Sequence, residues 1–172
     1  MKVTYYVAIS SDEYIAKEDG DVSWLDSLDI DMTETGYDEF FASVDGLAMG
    51  RHTYDFVFNY GSWPYEKKPT WVCTSRELKV LEGANLKVAK TALDIIKEAE
   101  AAGIGHLWLV GGGKLASAFL ENDLLTHLSI SQMPIKLGSG IPLFSNHKLG
   151  NISVKKFETL MKKGFKQIEI AL

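Results

Sequence analysis

Three short stretches of this sequence carry residue types suited to holding an anion: Gly50-Arg51-His52-Thr53, Thr74-Ser75-Arg76 and Gly111-Gly112-Gly113-Lys114. Each follows an apolar run. Glycines accept backbone angles that side chains forbid and let a ligand lie against the main chain. The unpaired N–H groups at a helix start then point at it and favour phosphate, while hydroxyls and guanidinium groups add donors and charge. Taken singly, a strand, three glycines and a helix fit tight packing as well as they fit a ligand, and a lone cation is ordinarily solvated. Three such places at corresponding strand ends point instead to Arg51, Arg76 and Lys114 reaching one anion with several phosphates. The G-x-G-x-x-G spacing is absent, and about 20 residues on lies Ser131 rather than an acid for a ribose hydroxyl. Basic groups in that place favour a 2′-phosphate, hence NADP over NAD.

The elements that must position these residues follow from hydrophobic period. Val3–Ile9 is β-branched and aromatic with almost no polar interruption, as in a strand buried on both faces. Ser10-Ser11-Asp12-Glu13, a short apolar piece Tyr14-Ile15-Ala16 and the charged segment 17–21 follow, then Trp24, which anchors that loop to the core or touches a ligand. Tyr37, Phe40, Phe41 and Val44 recur at helical spacing, with Thr33 or Thr35 available as a cap. Asp38 and Glu39 fall in the first turn and complement the helix dipole.

Short strands are expected over 46–50, 70–73, 86–89 and 107–110, each of the first and last followed by a helical pattern. Thr91 to Gly103 reads as a helix with a threonine cap and a glycine stop. Alternation of strands and helices implies parallel strands with covering helices. Beyond Leu125 come a strand over 126–133, the glycine-rich turn 134–144, and a hairpin made of 153–160 and 165–172. The expected fold class is α/β, one domain over residues 1–172 with a mixed, mostly parallel sheet between helical layers and a C-terminal antiparallel hairpin.

With 172 residues, 46% of them hydrophobic, and a net charge of −5, the chain matches one globular domain and offers no nucleic-acid or membrane surface. Its single cysteine, Cys73, excludes an internal disulfide and any clustered-cysteine metal site. No apolar run approaches the roughly 20 residues of a bilayer span, and the start resembles no secretory leader, so the expected compartment is the cytoplasm.

These motifs together resemble the dihydrofolate reductase-like superfamily. Met49-Gly50-Arg51-His52-Thr53 is similar to its M-G-R-x-T segment, Cys73-Thr74-Ser75-Arg76 to its strand ending in hydroxyls, and Leu109-Val110-Gly111-Gly112-Gly113-Lys114 to its second nucleotide-binding turn. Leu137-Gly138-Ser139-Gly140-Ile141-Pro142-Leu143-Phe144 looks like the L-G-x-G-x-P-L-F signature of the reductase domain of riboflavin biosynthesis proteins, and Ser10–Ala16 like that group's S-x-D-G-x-I-A. The resemblance implies a three-layer α/β/α fold, NADPH as hydride donor and a homodimer. It implies that Gly50, Arg51, Thr53, Thr74, Ser75, Arg76, Gly111, Gly112, Gly113 and Lys114 hold the cofactor. Two departures stand out: Tyr6 occupies the position of a family lysine on the first strand, four residues before the serine of S-x-D-G, and Glu13 replaces the glycine of that motif.

The activity so implied is hydride transfer to a C=N or C=O group of a pteridine- or aminouracil-type small molecule. Protonation of the product needs a carboxyl kept protonated by burial or an ordered water. Asp12 is the first candidate and Asp38 the second, with Tyr6 and Trp24 against the substrate. The rival readings are a catalytically inactive NADP-binding or regulatory protein on the same fold and a domain that binds no nucleotide.

Overall fold

A computed structural model describes residues 1–30 and 32–172. Strand β1 (Lys2–Ile9) lies at the centre of an eight-stranded sheet, paired in parallel with β6 (His106–Gly111) on one side and β7 (His127–Gln132) on the other. Its nearly apolar run, broken by Thr4, fits a central strand: Val3, Thr4, Tyr5 and Ile9 are buried and Tyr6, Val7 and Ala8 partly so. From β1 the chain moves outward through β3 (Gly46–Gly50), β4 (Thr70–Cys73) and β5 (Leu86–Ala89), all parallel, and β6 then returns between β3 and β1. Beyond β7 the sheet closes with antiparallel β10 (Phe165–Ala171) and β9 (Lys156–Lys162), giving the order β5-β4-β3-β6-β1-β7-β10-β9.

Strand alternation divides the core. Leu47 and Met49 of β3, Val72 of β4 and Trp108 of β6 meet Tyr54 and Val57 of α2 (Arg51–Tyr60), with Tyr37, Phe40 and Phe41 of α1 (Tyr37–Ser43) packed alongside. Their neighbours Ala48, Leu107 and Leu109 point the other way, onto Ala92, Ile95 and Ala99 of α3 (Ala92–Ala101) and Leu115, Ala116 and Phe119 of α4 (Gly113–Glu121). The protein is thus a three-layer α/β/α sandwich around a mixed, mostly parallel sheet.

Helix α3 opens with the expected Thr91 cap, elaborated into a reciprocal pair: the Thr91 hydroxyl accepts from the Asp94 N–H, and the Asp94 carboxylate accepts from the Thr91 N–H. Gly103 follows the helix with φ +77°. Helix α1 differs from expectation: neither Thr33 nor Thr35 caps it, because Met32–Thr35 forms a 3-10 turn and Gly36, at φ +71°, precedes the first residue. In the final hairpin the second strand begins at Phe165 as expected, while the first runs on two residues further, to Lys162, up to the Lys163-Gly164 turn, with Gly164 at φ +92°.

A small antiparallel ribbon was not legible in the sequence. Strand β2 (Tyr14–Ala16) pairs with β8 (Ile141–Pro142), which lies inside the stretch expected to be a turn. Gly140 has no room for a side chain there, because a β-carbon would run into the Ala16 carbonyl.

Candidate functional site

The three stretches expected to hold an anion end neighbouring strands, β4, β3 and β6. After β3 the chain crosses through α2 to β4, while after β6 it crosses through α4 to the far side of β1. Connections that diverge in this way open a crevice outside the carboxyl ends of the strands, where ligands of open α/β sheets collect.

At that crevice two helices begin side by side. Gly50 precedes α2 and Gly112 precedes α4, neither with a side-chain cap nor with an acidic residue in the first turn, whereas α3, remote from the crevice, is fully capped. The two glycines touch: a β-carbon on Gly50 would lie 3.8 Å from the Gly112 nitrogen and from the Gly111 carbonyl oxygen. Thr53 comes up from the first turn of α2, its hydroxyl 3.5 Å from where a Gly112 β-carbon would stand. The Gly111–Gly112 peptide bond is cis, and Gly111 has φ +148°. Gly113 is glycine for a separate reason, because a β-carbon there would drive into the Pro142 carbonyl of β8.

The cations are distributed rather than clustered on one point. The Arg51 guanidinium is held by its own helix and by the loop after β4: Nε donates to Asp55 Oδ1 at 2.7 Å and Nη1 to the Glu77 carbonyl at 2.9 Å. It therefore joins the helix start to the next loop. In that loop the Thr74 hydroxyl accepts from the Arg76 N–H at 3.1 Å, while Ser75 and Arg76 stand exposed on the rim of a cleft of about 390 Å³. Leu78, Val80, Leu86 and Val88 give the cleft apolar walls, and Thr74, Arg76 and Lys90 a polar, basic edge. Lys114 is exposed in the first turn of α4.

Asp12 does not meet the expectation of a carboxyl kept protonated. Burial is the largest single influence and pushes its pKa up, but the Ser10 hydroxyl at 2.6 Å and the N–H groups of Leu137 at 3.1 Å and Gly138 at 2.8 Å together outweigh it and hold the group below its ordinary value. Its carboxylate fastens the 10–13 turn to the 135–138 loop. Asp38, the second candidate, lies where its helical spacing put it, exposed in the first turn of α1, where an acid complements the helix dipole and lacks the burial that would keep it protonated. Glu13 has φ +67°, a left-handed conformation in which glycine carries no steric cost.

Trp24 is 4% exposed and packs with Met133 and Phe165, beside Ala8 at the carboxyl end of β1. It anchors its loop as expected. Its indole N–H is also the one buried side-chain polar atom without a partner among the described residues. Tyr6 turns to the α1 side, stacks on Phe40 with centroids 4.3 Å apart and donates its hydroxyl to the Thr35 carbonyl at 3.1 Å. Burial raises its pKa.

Below Tyr6 the same sheet face opens into a trough of about 700 Å³ over β1, β7 and β10, with α1 on one side and β9 on the other. His106 and His127 lie at its lower end, and burial followed by the Lys2 charge lowers both pKa values. No local sequence signal marks this trough, since its floor is made of polar residues at every second position of three strands. Among the described residues no group of His, Cys, Asp and Glu could hold a metal ion, and no helix is long and apolar enough to cross a membrane.

Comparison with known proteins accords with this geometry. The RibD C-terminal domain family matches residues 1–165. The uncharacterized protein YwjB of Bacillus subtilis (strain 168) is 34% identical over 159 residues, 87% of this chain and 85% of its own, and YyaP of the same organism is 25% identical over 153 residues, 83% and 79% of the two chains. A Shewanella sp. PV-4 protein assigned to riboflavin biosynthesis superposes with a TM-score of 0.78 at 32% identity, covering 99% of this chain and 98% of that one. The Thermotoga maritima diaminohydroxyphosphoribosylaminopyrimidine deaminase/5-amino-6-(5-phosphoribosylamino)uracil reductase shares the fold, with a TM-score of 0.75 at 16% identity, over 99% of this chain and 56% of its own.

Proposed function

The chain belongs to the RibD C-terminal domain family, and on that premise we propose that it is an NADPH-dependent reductase of a small heterocycle or carbonyl compound. The observation that carries this reading is the pair of uncapped helix starts, α2 and α4, whose preceding glycines touch at the point where the crossovers diverge. Two helix N-termini without acids or side-chain caps present free N–H groups and two partial positive charges to a pyrophosphate.

The residues present fit that cofactor. Gly50, Gly111 and Gly112 leave main chain open for close approach, Thr53 adds a hydroxyl beside them, and Lys114 adds a charge at the mouth of α4. The apolar cleft beyond Arg51 takes the adenosine end, with Ser75 and Arg76 on a ribose phosphate. When bound, NADPH supplies the hydride. Trp24 holds its loop at the opposite end, beside Ala8 of β1, and its indole N–H, buried and without a partner, becomes available to an acceptor on the substrate only if that loop moves.

Neither Asp12 nor Asp38 is placed to give up a proton, so the product is protonated from an ordered water. Tyr6, bound to the Thr35 carbonyl, supplies no cation to the substrate, which sets the substrate apart from one recognised through the family lysine. These same two features favour the second reading, a catalytically inactive NADP-binding protein.

The test is titration with NADPH and with NADH, followed by quenching of tryptophan fluorescence, with Arg76→Ala as control. Tighter binding of NADPH, lost in the variant, supports the nucleotide site; absence of binding by either dinucleotide overturns it. NADPH oxidation in the presence of pterins, aminouracils and small carbonyls then separates reductase from inactive binder.

A further inference from the structure

Tyr6 and Phe40 stack beside Trp108, which meets both edge-on with centroids 6.1 and 5.5 Å away, and Tyr37 closes the group against Tyr6 at 6.3 Å. Tyr6, Tyr37 and Phe40 are only partly buried, and rings left open in this way attract cations. Phe41, stacked on Tyr37, already holds one: Lys68 Nζ lies 4.8 Å from its centroid, with its charge engaged by the Val44 carbonyl at 2.7 Å.

The field around these rings is negative. Burial raises the pKa of both phenols, and carboxylates push the same way, Glu169 and Glu39 at Tyr6 and Asp38 and Glu66 at Tyr37. The segment 17–39 is tied to the same stretch of β1 at two points, by Trp24 beside Ala8 and by the Thr35 carbonyl on the Tyr6 hydroxyl. It holds nine acids and a single cation, Lys17, which is paired with Asp21 at 2.7 Å. A phosphate on the substrate meets no free lysine or arginine in this segment.

Proton supply points the same way. The Asp12 carboxylate is fastened by two N–H groups and Asp38 is exposed, so neither delivers a proton to a product nitrogen. An acceptor that arrives already positive needs none.

Resting on the reductase reading, we propose that the substrate is a flat cyclic iminium ion without a phosphate, its nitrogen protonated or alkylated before it binds, and that Tyr6 selects it. Hydride from NADPH adds to the iminium carbon, the C=N π pair becomes the nitrogen lone pair, and NADP+ and a neutral amine result. No proton enters the balance. The cation is drawn by the acids and seats against the rings, while the neutral amine is held less well by both, which favours its release. A lysine in place of Tyr6 repels such a substrate and attracts a phosphorylated one.

The experiment compares N-methyldihydroisoquinolinium, a permanent cation, with tetralone, a neutral ketone of similar size, and with the N-sulfopropyl analogue of the cation, which adds an anionic tail. Binding is followed by calorimetry, and NADPH oxidation is measured above the rate without protein. The cation is expected to bind and to be reduced about tenfold better than the other two, the effect of a cation on partly desolvated rings, with the preference shrinking at high salt. Its turnover in heavy water equals that in light water; a fall of about twofold or more shows proton transfer and overturns the proposal. The preference is lost in Tyr6→Lys through a raised KM and returns in Tyr6→Phe, which keeps a ring there, with folding checked by circular dichroism. Asp38→Lys with Glu39→Lys, both on the surface, weakens binding of the cation severalfold without touching the rings. With NADPH bound, equal use of tetralone or of the sulfopropyl analogue, or a cation that binds and is never reduced, overturns the proposal and leaves the nucleotide site standing. Absence of NADPH binding overturns the reductase reading and the proposal with it.

Discussion

Gly50 and Gly112 stand against each other at the ends of adjacent strands, so that two helices on opposite faces of the sheet begin at one point. The contact is ordinary in its spacing, since a β-carbon on Gly50 meets its neighbours at 3.8 Å and the Gly50 backbone is plain extended chain at φ −76°. Gly50→Ala is therefore expected to keep the melting temperature while weakening NADPH binding, by crowding the open main chain. Gly113→Ala has the reverse character: its methyl meets a fixed carbonyl of β8, and overpacking of that kind costs about 1–3 kcal/mol. Urea denaturation of the two variants checks the contrast.

Glu13→Gly is expected to stabilise the protein. A non-glycine residue at φ +67° carries a steric penalty of roughly 1–2 kcal/mol that glycine lacks. Against this stand the greater freedom of an unfolded glycine, up to about 1 kcal/mol, and a long 3.4 Å hydrogen bond from the Leu149 N–H to the Glu13 carboxylate. A gain of up to about 1 kcal/mol in chemical denaturation is the expected outcome.

Trp24→Phe separates anchoring from recognition. The phenyl ring preserves most of the packing against Met133 and Phe165, and the substitution removes a buried N–H whose lack of a partner costs about 1–3 kcal/mol. Stability is expected to hold or rise while KM for the reduced substrate rises. A large fall in melting temperature would show that the indole is needed for packing alone.

Stability is expected to fall as pH drops through about 6.5. In the folded chain burial and Lys2 disfavour the protonated forms of His106 and His127, while Asp45 and Glu169 nearby pull more weakly the other way. The Nδ1–H of His106 donates to the Ser43 carbonyl at 3.1 Å and its Nε2 accepts from the Thr4 hydroxyl at 2.8 Å, an arrangement of the neutral ring. Below the ordinary imidazole value the unfolded chain binds more protons than the folded one, so protonation draws the equilibrium toward unfolding. His127→Gln should flatten the decline, measured as melting temperature from pH 8 to pH 5.

Those elements whose local signals agreed with their burial were legible in the sequence. The run Val3–Ile9, the Thr91 cap and the three strand ends at Gly50, Thr74 and Gly111 each announced themselves through period, cap chemistry or glycine placement. Hidden were the features that depend on residues far apart. Asp12 looked like a proton donor because nothing local shows that Leu137 and Gly138 will bring it two N–H groups. Residues 134–144 looked like a turn throughout because Pro142 pairs with Tyr14, more than a hundred residues earlier, and not with a sequence neighbour. Asp38 was ambiguous for a different reason: an acid in a first helical turn satisfies the dipole whether or not a site lies near.

The ribbon of β2 and β8 has Gly113 beneath one edge and the Ser10–Glu13 turn hung from the other, through the bond from the Leu143 N–H to the Glu13 carbonyl. The glycine turn at the end of β6 and the loop leading to Trp24 thus share a single strut. Any coupling between an occupant of the glycine turn and one beside Trp24 would travel through this strut, and thermodynamic reciprocity would make it equal in size in both directions.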